Sequence, residues 1–214
     1  MVKKEFILKD FKLHIIQSCY ISNASIYLNG NLQYNFPTKN FETFAENAYK
    51  NLDIKYPKFY KMDNLSKLGF LCAETVLQNI DLNKYSPEKI AINIINKNSS
   101  IDTDIKYNNL IAKGASSPAI FVYSLPNIMI GEICIRHNIQ GDNLLFVDEN
   151  YNTEMQFNYI KSLFENNKIE AGICGYIDYI EDHYEAFLFL VEKNHSQIPF
   201  TQENINQLYK TILK

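Results

Sequence analysis

Three short, nearly unbroken apolar runs, residues 90–95 (IAINII), 144–147 (LLFV) and 170–174 (EAGIC), each follow a segment of helical periodicity. This rhythm constrains the chain more than any other feature. A run of that length with weak alternation reads as a strand covered on both faces, and helix followed by buried strand is the pattern of an α/β fold. We therefore expect one sheet containing residues 90–95, 143–147 and 170–174, with a helix over 63–80 packed on it. A chain of 214 residues suits a single domain over 1–214 with a sizeable core.

The helices are read from spacing. Leu65, Leu68, Cys72, Val76 and Ile80 recur at three- and four-residue steps after Asp63 or Asn64, either of which can cap the first turn. Residues 129–137 form an apolar helix in which Gly131 and Cys134 permit close packing. Thr153-x-x-Gln156 has the form of a capping box ahead of an apolar face of Met155, Tyr159, Ile160, Leu163 and Phe164 that ends near Asn166. Thr201 and Glu203 open a last helix with Ile205, Leu208, Tyr209 and Ile212 on one face. Residues 13–20 and 24–28 read as strands, with Asn29-Gly30-Asn31 as a hairpin turn. Residues 34–60 read as irregular around a short helix at 41–49, and 96–105 as a loop before a helical turn at 107–112. Residues 176–180 and 184–193 pair around Glu181-Asp182-His183.

Composition excludes several classes. A net charge of −3 gives no basic excess for a nucleic-acid partner. The first residues, MVKKEFILKDFKLHII, place charges among the apolar positions and so do not form a signal peptide, and no run approaches the roughly 18 apolar residues of a membrane span. A cytoplasmic protein is expected. Cys19, Cys72, Cys134 and Cys174 are far apart and set in apolar segments, which favours buried, inert thiols over a zinc site or disulfide framework. His183 beside Glu181, Asp182 and Glu185 reads as a solvated tip rather than a metal site. His14, His137 and His195 are isolated. No metal or cofactor is expected, and no glycine-rich phosphate loop is present.

The stretch from Ser116 to Asn150, SSPAIFVYSLPNIMIGEICIRHNIQGDNLLFVDEN, resembles the β-ketoacyl synthases of the thiolase-like superfamily. There a Ser-Pro-x-x-F…Leu-Pro-Asn loop leads into a Gly-Glu-Ile-Ala-Ile-Arg type helix, a Gly-Pro turn, a buried strand and the nucleophilic cysteine. Counting forward from Gly141 puts the nucleophile on Asn150. Counting back from Ala171-Gly172-Ile173-Cys174-Gly175, taken as the next strand and its glycine turn, also lands on Asn150. A one-residue slip reaches only Glu149.

The resemblance is weak before residue 60 and good over 62–175. It implies the N-terminal half of a ketosynthase, a thiolase-like mixed β-sheet with helices on both faces, the second half with its two histidines and lysine lying beyond these residues. The family's chemistry needs a thiolate at a helix N-terminus, where the dipole and free amides lower the cysteine pKa. Asn150 is not a nucleophile, and Asp148 and Glu149 would raise the pKa of a nearby thiol. Those carboxylates read as helix-capping and dipole-matching groups, or as a partner contact. The expected function is therefore a non-catalytic subunit similar to chain-length factors, paired with a full-length ketosynthase or with itself through Leu144, Leu145, Phe146 and Val147, with an acyl carrier protein as a further partner. The alternatives are a thioester-acting enzyme using Glu149 or Asn150, and a homodimeric acyl or carrier-protein binding module.

Overall fold

In a computed structural model, residues 12–193, 196 and 198–211 are described. The strands are β1 (Leu13–Ser22), β2 (Ser25–Leu28), β3 (Asn31–Asn35), β4 (Ile90–Asn96), β5 (Asn143–Val147), β6 (Ala171–Ile180), β7 (His183–Lys193) and β8 (Ile198–Pro199). They form one mixed sheet in the order β3-β2-β1-β7-β6-β4-β5, with β8 on β1. The three apolar runs are neighbours: β6, β4 and β5 lie parallel, and every other pairing is antiparallel.

The helices are α1 (Phe41–Asn51), α2 (Asn64–Val76), α3 (Ile101–Ala112), α4 (Pro118–Val122), α5 (Ile128–His137), α6 (Thr153–Glu165) and α7 (Gln202–Thr211). One core joins α1, α2 and α5 to one face of the sheet, and a second joins α6 and α7 to the other. All seven residues of β4 are buried, as expected of a strand with helices over both faces. Asp63 caps α2 by accepting from the Ser66 amide at 2.9 Å, and that helix buries Leu65, Leu68, Phe70, Leu71 and Val76. Each such side chain contributes about 1.5–3 kcal/mol relative to exposure. Three hairpins turn through left-handed residues: Asn23 (φ 47°) and Ala24 (φ 54°) between β1 and β2, Asn29 (φ 51°) and Gly30 (φ 78°) between β2 and β3, and Glu181 (φ 48°) and Asp182 (φ 64°) between β6 and β7. Gly, Asn and Asp take this conformation at low cost, whereas Ala24 and Glu181 hold it against their usual preference. No helix among the described residues is long and apolar enough to cross a membrane.

Several expectations are corrected. The helix expected over 63–80 stops at Val76, because Asn79 adopts φ 64° and turns the chain. Residues 101–105 are helical rather than loop. The Ser-Pro segment is the short helix α4, capped by Ser117 with Pro118 in its first turn. α6 has no capping box. Asn152 is its N-cap, accepting from the Met155 amide at 3.0 Å, while Thr153 and Gln156 are buried inside the helix. β6 runs on to Ile180 through Gly175, which is a strand residue and not a turn; a Cβ there would meet the Phe187 carbonyl oxygen of β7 at 1.8 Å. The close helix contact belongs to Gly69 and not to Gly131. A Cβ on Gly69 would lie 2.5 Å from the Met129 sulfur of α5, whereas nothing stands within 4 Å of one on Gly131. β5 is not a buried strand but, among the described residues, an edge strand paired only with β4. Its Asn143 and Val147 are exposed and its three central residues half-buried. His195 and Ile212 lie outside the described residues.

Candidate functional site

In open α/β sheets, sites form beyond the carboxyl ends of the parallel strands. Here those ends meet a layer of buried amides. Asn93 and Asn96 of β4 and Gln156 of α6 are fully buried. The Gln156 amide donates to Asn93 O (3.0 Å), Asn93 Oδ1 (3.1 Å) and Gly175 O (3.1 Å), and its carbonyl accepts from the Tyr151 hydroxyl at 2.6 Å. One side chain thus fastens α6 to β4 and β6. Asn96 donates to Ile177 O (2.9 Å) and to the Asp178 carboxylate (3.1 Å), which also accepts the backbone amides of Lys97 (3.1 Å) and Asn98 (2.8 Å). The loop from β4 into α3 is therefore wrapped around one carboxylate of β6.

The acidic turn lies on this layer. The Asp148 amide donates to Asn96 O at 2.9 Å, and its side chain accepts from the Asn152 amide at 3.2 Å. Asp148 thereby braces the Asn152 side chain, and the cap expected of Asp148 and Glu149 is supplied by Asn152 instead. Glu149 and Asn150 are both exposed in the turn just ahead of α6. A carboxylate and a neutral amide stand at this helix N-terminus. Neither is a thiol.

None of the described cysteines is in the turn, although Cys174 of β6 stands opposite Asn93 in the core under α6. Cys19, Cys72 and Cys174 are buried, burial pushes the Cys72 and Cys174 thiols up, and it pushes Cys134 up to about 11. A thiol held protonated in this way is a poor nucleophile. His14 in β1 is buried. His137 ends α5 with Nε2 3.0 Å from Glu74, and His183 heads β7 at the hairpin. His14 and His137 both lie toward the amino ends of the parallel strands, since His14 pairs with Glu192 opposite Ala171 and α5 precedes β5.

Beside the amide layer is a cleft of about 440 Å³ lined in part by Tyr20, Lys97, Tyr176, Asp178, His183 and Glu185. Burial pushes the Glu185 carboxyl above the ordinary carboxylate range and the nearby Asp178 charge adds to this, although the Tyr20 hydroxyl, 2.9 Å away, offsets part of it. The charges at the hairpin are already engaged. Asp182 accepts from the Phe41 amide (3.2 Å) and the Tyr179 hydroxyl (3.3 Å), and the His183 ring lies 3.2 Å from Glu181 O. Among the described residues, no group of three His, Cys, Asp or Glu is placed to hold a metal.

The expected interface residues divide by face. Leu145 packs toward the α2/α5 core, Phe146 meets Tyr159 of α6 at 6.0 Å between ring centres, and Val147 is 57% exposed at the strand end. Sequence reasoning missed the amide layer, whose signal was present as two asparagines in an isoleucine-rich strand. It also missed the exposure of α3 and α4.

No protein-family model matches the sequence, and no curated protein does. Solved structures do match. The ishigamide ketosynthase/chain length factor aligns with a TM-score of 0.61 at 13% identity, over 88% of this chain and 64% of that one. A type II polyketide synthase acyl-carrier protein in complex with its ketosynthase aligns at 0.59 and 14% identity, over 86% and 63%. A ketosynthase in complex with its chain length factor from Xenorhabdus doucetiae aligns at 0.59 and 11% identity, over 94% of this chain and 91% of that one. The chain thus spans just under two thirds of the first two and nearly all of the third. The fold is the ketosynthase, thiolase-like fold.

Proposed function

We propose that this chain is a non-catalytic ketosynthase-like subunit of the chain-length-factor kind, one domain over residues 1–214 equivalent to a ketosynthase N-terminal half. It pairs with an active β-ketoacyl synthase in biosynthesis of fatty-acid, polyketide or aryl-polyene type, with an acyl carrier protein as a further partner. The observation that carries this reading is the turn ahead of α6. On a ketosynthase fold, the helix N-terminus beyond the carboxyl ends of β4 and β5 presents Glu149 and Asn150 in place of a thiol. The alignment with a chain of matching length in a ketosynthase and chain length factor complex supports the partner, and β1 pairing with both β7 and β8 supports one domain drawn from both ends of the sequence.

Incubated with malonyl- and acyl-loaded carrier proteins, the purified chain is expected to give neither condensation product nor acyl-enzyme. Asn150→Cys is expected to rescue no turnover, since His14 and His137 lie toward the amino ends of the parallel strands and the His183 ring is held at Glu181 O in the β6–β7 hairpin. Turnover by either protein, lost on Glu149→Gln, would establish a thioester-acting enzyme instead.

A further inference from the structure

Lys67 of α2 is the one buried lysine among the described residues, with 7% of its surface exposed. An ammonium taken out of water needs partners for its three N–H groups. Among the described residues it has one, a carboxylate oxygen of Glu42 at 3.2 Å, and the Glu42 side chain is itself 65% exposed. A solvated carboxylate offsets little of the cost of desolvating the lysine. Lys67 and Glu42 both line a cavity of about 290 Å³, near the low end of the range of small-molecule sites. Lys61 and Lys106 line it too, and Lys61 has no ion pair among the described residues, while Lys106 pairs with Asp102 at 2.7 Å.

We propose that this cavity is an oxyanion site that takes a phosphate group, free or as a small phosphomonoester, with Lys67 as its central donor. The charge of the lining supports an anion, since three lysines stand against two carboxyls, Glu42 and Asp63. Neither carboxyl blocks the site. Glu42 is mostly in solvent and loses little on turning away from Lys67. Asp63 is engaged by the Ser66 amide at 2.9 Å and the Thr103 hydroxyl at 2.8 Å, and burial pushes its carboxyl above the ordinary range, so it opposes an anion less than a free carboxylate would. The lysines come from three segments, α2, α3 and the residues ahead of α2, and so reach the cavity from different sides. An anion with several oxygens can accept from all of them, and lysine binds phosphate as a point charge. Asn64, the first residue of α2, lies at the same cavity, where the helix dipole adds to the attraction. The site shares no residue with the turn at Glu149 and Asn150, and it stands whether or not the chain pairs with a ketosynthase.

The test applies calorimetry and thermal unfolding to the full chain with inorganic phosphate, methyl phosphate and acetate, and with sodium chloride at matched ionic strength. Wild type is expected to bind both phosphates and to unfold at a higher temperature in them, with no such shift in acetate or chloride. Lys67→Met keeps most of the side-chain length and removes the charge. It is expected to keep the wild-type circular dichroism and to bind phosphate at least about 10-fold more weakly, the scale of a lost hydrogen bond to a charged group. Glu42→Gln, an exposed change, removes the competitor for the ammonium and is expected to bind phosphate more tightly than wild type, a gain that a merely structural ion pair would not give. A wild type that binds no phosphate, or a Lys67→Met that binds it with wild-type affinity, would overturn the site. An equal shift in chloride would assign the effect to general screening and overturn it as well. Acetate bound as tightly as phosphate would overturn the ligand class.

Discussion

α2 and α3 are of nearly equal length, thirteen and twelve residues, and lie on either side of β4 in the sequence, yet eleven residues of α2 are fully buried against one of α3. α2 has an N-cap from Asp63 and lies between α1, α5 and the sheet, so this chain alone accounts for its stability. α3 has no side-chain cap bond and keeps Ile101, Ile105 and Ile111 largely in solvent. The difference separates two uses of apolar residues. Those on α2 make the fold, and those on α3 are left over from it.

The comparison is tested most strongly in the core. Phe70 of α2 is fully buried, with its ring 5.3 Å from Tyr56 and 5.7 Å from Phe59. Phe70→Ala removes the ring and leaves a cavity that such rigid neighbours cannot close, so a loss of about 3–5 kcal/mol is expected in urea unfolding. A loss below about 1 kcal/mol would mean that the α2 core is loosely packed and that its contrast with α3 is overstated.

A smaller effect is expected where α2 meets α5. Glu74 accepts from Arg136 Nε at 2.8 Å and Nη2 at 3.0 Å, and lies 3.0 Å from His137 Nε2. Burial alone would push its carboxyl up, but the bonds from His137 and Arg136 outweigh that and hold it below the ordinary carboxylate range. A depressed carboxylate contributes stability that is present above its unfolded pKa and is lost as pH falls through the folded value. Glu74→Gln is therefore expected to lower stability by about 1–3 kcal/mol at pH 7. Denaturant titrations of both proteins should converge as the pH drops below the ordinary carboxylate range. A gap that stays constant with pH would assign the effect to packing rather than charge.

The same contrast sets what was legible in the sequence. α2 was readable because its buried residues recur at three- and four-residue steps, and it was overextended because Leu77 and Ile80 stay apolar while Asn79 turns the chain. The first turn of α3 was missed because its isoleucines face outward, so no inward stripe marks it. That β4, β5 and β6 share one sheet was foreseeable, but the apolar runs did not show that β5 lies at an edge, since four consecutive apolar residues look alike in a central strand and in an edge strand. Adjacent cap formers, Asn152 and Thr153, misplaced the start of α6 by one residue. Glu149 and Asn150 lie in the turn ahead of α6, as the order of strand, acidic turn and helix in the sequence suggested. The amide layer beneath them was not foreseen, because Gln156 reaches Asn93 across 63 residues of sequence and Gly175 across 19.

The smallest expected effect is on α3 itself. Ile111 is 50% exposed on a helix with one fully buried residue, so Ile111→Ala gives up little burial. Alanine is also the better helix former, by a few tenths of a kcal/mol. The two terms have opposite signs, and the isolated chain should keep its stability within about 0.5 kcal/mol, the range of ordinary surface changes. With a partner ketosynthase bound over α3, the same substitution would remove side chain from a covered surface and turn the balance to a loss. Measuring unfolding of the free chain and of the complex separates these terms: equal changes in both would mean that nothing covers α3, whereas a loss confined to the complex places Ile111 at the partner surface.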